Sequence, residues 1–144
     1  MGESLSIYDI IKENFDLKEN DIKSYSPLIL AYIGDAVYEI IIRTIVVSEG
    51  NTQVNKMHKK SSSLVKAETQ ANMIKAIMDD LSEEELSFYK RGRNAKSYTS
   101  AKNASISDYR MATGFEALIG YLYLTGKTNR MSELIKLGLE RVNS

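Results

Sequence analysis

The chain has 144 residues, with 19 Lys and Arg against 19 Asp and Glu and 43% hydrophobic residues, one domain's length with enough apolar content for a core. Balanced charge and ordinary hydrophobicity exclude wholesale disorder, and the absence of cysteine excludes disulfides, thiolate metal sites and a cysteine nucleophile. A single histidine, His58, excludes multi-histidine metal sites within one chain, so any metal here sits on oxygen ligands.

One proline and 8 glycines leave few breakers, and no stretch alternates over strand lengths, so the pattern predicts an all-α helical bundle forming one domain over 1–144. A first helix is expected over Leu5–Asn14. A second starts at Ser26-Pro27, serine capping and proline at the first helical position, and runs to about Ser48 before Glu49-Gly50-Asn51. It is long enough to suggest a membrane span, but Asp35, Glu39 and Arg43 interrupt it, so a buried helix with a Glu39–Arg43 surface pair is expected instead. Without a basic region followed by an apolar run at the N-terminus, the expectation is a cytoplasmic protein with no membrane contact.

From Thr52 onward, Val54, Met57, Leu64, Ala67, Ala71, Ile74 and Ile77 mark one amphipathic face. A break is expected at Ser61–Ser63, since serines compete locally for backbone hydrogen bonds. Ser82 with Glu85 forms a capping box that starts a further helix, acids in its first turn and Lys90 and Arg91 near its end, matching the helix dipole. After Gly92 the residues read as a polar, basic loop up to Ser107, which is expected to cap a helix reaching Leu124 and closed by Gly126. Thr128 or Asn129 starts the last helix, through Val142.

Two acids stand out against their surroundings. Asp35 lies in LILAYIGDAVYEIII, ringed by apolar residues, and an unpaired buried carboxylate costs several kcal/mol, roughly, so it is expected to be neutral, paired with a cation from another helix, or on a metal. Glu116 shares one side of its helix with Ala112, Ile119 and Tyr123, a second carboxylate set in an apolar stripe. The two converge only if the two most hydrophobic helices pack together, and facing carboxylates repel unless a cation sits between them. Mg²⁺, which keeps several waters and needs one or two carboxylates, suits such a pair.

The zero net charge hides segregation. Lys56, His58, Lys59 and Lys60 form one basic cluster, and Lys90, Arg91, Arg93, Lys96 and Lys102 form another, interleaved with Asn94, Ser97, Tyr98, Thr99 and Ser100. That mix can grip phosphates and sugar hydroxyls, and equally describes a solvated surface. Arg91 and Arg93 are expected to bear on RNA affinity and hardly at all on stability.

These residues carry a family resemblance. Tyr32-Ile33-Gly34-Asp35-Ala36-Val37-Tyr38-Glu39 resembles the signature of the ribonuclease III catalytic domain, and Phe115-Glu116-Ala117-Leu118-Ile119-Gly120 resembles its second acidic motif. Within that superfamily the VNKMHKK segment, Lys90–Ser97 and ATGFEALIGYLYL are similar to Mini-III ribonucleases, a likeness spanning about Tyr25 to Thr125. No room is expected for a separate double-stranded-RNA-binding domain.

The resemblance implies a ribonuclease III-like helical bundle in which Asp35 and Glu116 hold the catalytic Mg²⁺. It also implies an obligate homodimer that cuts both strands of double-stranded RNA, leaving 5′-phosphates and 3′-hydroxyls. Its implied substrate is the stem formed by the ends of precursor 23S ribosomal RNA, with a ribosomal protein as a possible helper. Lys56, His58, Lys59, Lys60, Arg91, Arg93, Asn94, Lys96 and Ser97 are the implied RNA contacts. The longer family members carry further acids where this chain has Ala31 and Thr113, a reduction that Mini-III proteins share and that leaves the number of metal ions open. On the residues alone, a non-catalytic RNA-binding helical dimer and a purely helical interaction protein stay open.

Overall fold

The computed structural model describes residues 6–96 and 105–143, which form seven α-helices and no strand. Helix α1 (Ile7–Phe15) is set by a capping box in which the Ser6 hydroxyl accepts from the Asp9 N–H and the Asp9 carboxylate accepts from the Ser6 N–H. A single 3₁₀ turn, Ile22–Ser24, leads into α2 (Pro27–Val47), whose Ser26 cap accepts from the Ile29 N–H at 3.3 Å. Helices α3 (Val54–Val65) and α4 (Ala67–Ile77) meet at Lys66, the only extended residue between them. Helix α5 (Glu83–Arg93) carries the expected Ser82–Glu85 capping box. Helices α6 (Ile106–Leu124) and α7 (Thr128–Val142) flank a turn in which Gly126 takes φ 72°.

Two boundaries differ from the sequence reading. The break expected at Ser61–Ser63 falls at Lys66, because the serine hydroxyls do not unwind the helix: Ser63 Oγ donates back to the Lys60 carbonyl, a bond the helix tolerates. The cap of α6 is Ser105 and not Ser107, since Ser105 Oγ accepts from the Asp108 N–H at 3.0 Å and the helix starts two residues earlier.

Helix α6 is the centre of the bundle. It packs against α2, α4, α5 and α7, and Phe115, Leu118, Ile119 and Leu122 are all fully buried. Burying each such side chain contributes about 1.5–3 kcal/mol relative to exposure. Aromatic contacts knit the layers: Tyr38 meets Phe115 edge-on at 5.4 Å, and Phe88 stacks on Tyr121 at 4.1 Å. At the far side, the Arg130 guanidinium grips both oxygens of buried Glu85 at 2.8 and 2.9 Å, tying α7 to the start of α5 and holding the Glu85 carboxyl below its usual range. Helix α2 turns a stripe of Leu30, Gly34, Tyr38, Ile42 and Val46 toward this core, spaced one helical turn apart. Its opposite face, with Ile29, Tyr32 and Ile40, lies exposed.

Candidate active site

The site exists because α2 and α6 touch backbone to backbone. A Cβ placed on Gly34 would lie 1.8 Å from the Glu116 carbonyl oxygen, and one on Gly120 would lie 2.0 Å from the Leu30 carbonyl oxygen. Only glycine at both positions allows this approach. Asp35 follows Gly34 on α2, and Glu116 supplies the facing turn of α6, so the crossing puts the two carboxyl groups side by side.

Their environments differ. Asp35 is exposed, contrary to the expectation of a buried acid: it sits one residue off the inward stripe, so Ala31, Gly34 and Tyr38 turn to the core while its carboxylate meets solvent. Glu116 is half-buried, and its carboxyl is pushed up to about 8, first by burial and then by the charge of Asp35 and a hydrogen bond with it. No third Asp, Glu or His joins the pair among the described residues. Ala31 offers no ligand atom, and the Thr113 hydroxyl donates to the Tyr109 carbonyl of its own helix at 3.0 Å.

The sequence reading missed Gln70. It is 2% exposed on α4, and its Nε2 donates to the Val65 carbonyl at 2.7 Å and to Glu116 Oε2 at 3.3 Å. The signal was present: Gln70 interrupts the stripe of Ala67, Ala71, Ile74 and Ile77 with a polar side chain that an inward position does not ordinarily take. Near it, Tyr38 Oη donates to the Leu64 carbonyl at 2.7 Å, so the end of α3 is tied to α2 as well, and burial pushes the Tyr38 hydroxyl up.

The basic residues fall in two places. Lys56, His58 and Lys59 are exposed on α3, while Lys60 pairs with Glu49 at 2.5 Å beyond the C-terminal end of α2. Glu49 lies fourteen residues after Asp35, roughly 20 Å along the helix direction at ~1.5 Å per residue. The basic end of α5 is closer to the carboxylates, because Gly92 packs against Gly114 and Ala117, the turn that carries Glu116. There Arg93 bonds Asn94 at 3.2 Å and lies over the Tyr89 ring, and Lys96 is exposed. Arg91 is not a free cation: its Nη2 donates to the Tyr25 carbonyl at 3.0 Å, and its guanidinium lies over Phe88. Ser97, Tyr98, Thr99, Ser100 and Lys102 lie outside the described residues.

The ribonuclease III domain profile matches residues 28–127, the segment that holds both acids and the glycine crossing. The chain belongs to the ribonuclease III family. It is 57% identical to a Mini-ribonuclease 3 of Clostridium tetani over 85% of this chain and 82% of that protein. It is 49% identical to a Mini-ribonuclease 3 of Enterococcus faecalis over 85% of this chain and 94% of that one. A crystal structure of a Fusobacterium nucleatum protein superposes with a TM-score of 0.76 at 32% identity, covering 85% of this chain and 98% of that chain. The chain is therefore an endoribonuclease of the Mini-ribonuclease 3 branch, with the all-helical architecture of the ribonuclease III domain. No helix among the described residues is long and apolar enough to cross a membrane.

Proposed function

We propose that residues 1–144 form one catalytic domain that cleaves double-stranded RNA with Mg²⁺ held by Asp35 and Glu116. The observation that carries this reading is the carboxylate pair itself, with the Glu116 carboxyl pushed up to about 8 beside Asp35. Two acids pressed together raise the free energy of the doubly ionised state, and a divalent cation relieves it. Two carboxylates with no third acid among the described residues suit an ion that retains much of its own hydration. Bound there, Mg²⁺ supplies charge to polarise the scissile phosphate, lower the pKa of the attacking water and stabilise the leaving 3′-oxygen.

The protein's own residues supply position. Gly34 and Gly120 set the spacing of the two backbones that carry the acids. Arg93, Asn94 and Lys96 at the end of α5 lie where an RNA backbone approaching Glu116 passes, and Lys56, His58 and Lys59 on α3 extend the contact. Contacts of this kind read A-form shape and 2′-hydroxyls and not base sequence. Products carry 5′-phosphates and 3′-hydroxyls. The exposed stripe of Ile29, Tyr32 and Ile40 runs alongside Asp35 and supports a homodimer whose two sites cut opposite strands. By the family resemblance of the motifs around Asp35 and Glu116, the proposed natural substrate is the stem formed by the ends of precursor 23S ribosomal RNA in the cytoplasm, with a ribosomal protein as helper.

A labelled perfect RNA duplex, incubated with the protein in Mg²⁺ and in EDTA beside Asp35→Asn and Glu116→Gln, tests the proposal. Metal-dependent double-strand cuts bearing 5′-phosphates, reduced at least ~10³-fold in both variants while duplex binding persists, are expected. Undiminished cutting by either variant overturns the assignment of the pair. Salt-sensitive binding with no cutting, on that duplex or on the ribosomal stem, identifies a non-catalytic RNA-binding dimer.

A further inference from the structure

Three polar residues are buried among the described residues, and two are accounted for within the fold: Glu85 by the Arg130 fork and Thr113 by its own helix. The third is Gln70. Packing gives no reason for an amide at this point of α4, since its neighbours on the inward face are Ala71, Ile74 and Ile77 and its Oε1 is buried without a hydrogen-bond partner. What the amide does have is two acceptors facing its Nε2. One is the Val65 carbonyl, released from helical bonding by the break at Lys66; the other is Glu116 Oε2.

We infer that Gln70 is a positioning residue for the metal site: anchored at the α3–α4 break, its amide holds the Glu116 carboxylate in the orientation that offers it, beside Asp35, to a divalent cation. The choice of side chain fits the task. A lysine or arginine here would neutralise Glu116 and displace the cation, whereas an aspartate or glutamate would add repulsion; a neutral donor orients without competing. The bond also compensates for Ala31 and Thr113, neither of which gives Glu116 a further polar partner. This inference rests on the reading of Asp35 and Glu116 as the metal site.

The test uses the full chain without RNA. Mn²⁺ binding is measured by the electron paramagnetic resonance signal of the free ion for the parent, Asp35→Asn, Gln70→Met and Gln70→Ala. The methionine keeps length and bulk, and the alanine introduces no bulk, so that one folded variant suffices. Either Gln70 variant, shown to be folded at the assay temperature by circular dichroism, is expected to bind Mn²⁺ roughly tenfold more weakly. The Mg²⁺ concentration for half-maximal cleavage should rise by the same factor, with duplex binding in EDTA unchanged. Parent-like Mn²⁺ affinity in a folded Gln70 variant overturns the inference, even where the melting temperature falls, because that is what a merely structural amide would show. Parent-like affinity in Asp35→Asn instead overturns the underlying site assignment, whatever the Gln70 variants do.

Discussion

A carboxyl pushed up to about 8 holds its proton through the neutral range, and this gives Glu116 a measurable signature. Its folded pKa lies above the ordinary carboxyl value of 4.5, so its contribution to stability is full below that value and is lost as pH rises toward 8. Thermal melts in EDTA should therefore show declining stability between about pH 5 and pH 8, and Glu116→Gln should flatten the decline. With Mg²⁺ on the pair as proposed, proton and cation compete for the same oxygens, and added Mg²⁺ should raise the melting temperature more at pH 8 than at pH 6. A melting temperature that Mg²⁺ shifts equally at both pH values would mean that the ion acts elsewhere. Asp35 and Glu116 were legible in the sequence because a charge within an apolar run is an anomaly that composition alone displays. Gln70 carried a weaker signal, since an uncharged polar side chain between Ala67, Ala71, Ile74 and Ile77 is a smaller anomaly than a charge. Nor was the exposure of Asp35, because the sequence lists the apolar residues around a helix without telling which of its faces meets the core.

At the scale of the element, the helices α2 and α5 follow from caps that can be read directly, Ser26-Pro27 and the Ser82–Glu85 box. The two misplaced boundaries both turn on serine, which caps or breaks a helix only where the backbone already turns, and at Lys66 a tertiary contact helps to set where that is. The break at Lys66 is fixed by the Tyr38 bond to Leu64, which reaches in from α2, and by the local bond of Gln70 across the break to Val65. Arg91 makes the same point. Its position in a basic run reads as RNA contact, yet its bond to the Tyr25 carbonyl fastens the segment entering α2 to α5. Arg91→Ala should therefore destabilise the protein by about 1.5 kcal/mol in chemical denaturation, the usual scale for a hydrogen bond to a charged group. Arg93→Ala, which gives up only its neighbour Asn94 and a ring face, should stay within about 0.5 kcal/mol of the parent and lower duplex affinity. A stability loss in Arg93→Ala as large as in Arg91→Ala would mean that both arginines serve the fold.

For the molecule as a whole, the all-helical class follows from one proline, few glycines and the lack of alternation. What a single chain's pattern does not report is which apolar residues remain uncovered. On α2, Tyr32 is 79% exposed, Ile40 62% and Ile29 51%, beside a face of the same helix that is fully buried. Such a stripe is more apolar than a solitary surface ordinarily is. If it forms the homodimer contact, Tyr32→Glu should convert the sedimenting species from dimer to monomer and reduce double-strand cutting with it. A parent that sediments as a monomer at every concentration would remove the paired-site arrangement.

The contact of Gly34 with the Glu116 carbonyl has a consequence for how the enzyme can change over time. Side-chain packing elsewhere in the bundle can drift, because a core that loses or gains a methylene shifts its neighbours by fractions of an ångström. The distance between the backbones that carry Asp35 and Glu116 does not inherit those shifts, for it is set by main-chain atoms already in contact. The crossing acts as a datum surface in the machinist's sense, the fixed reference from which other dimensions are taken. The chemistry of the acid pair can then be retuned from the periphery, through the side chains around it, while the reference itself is renewed at each generation by two glycines.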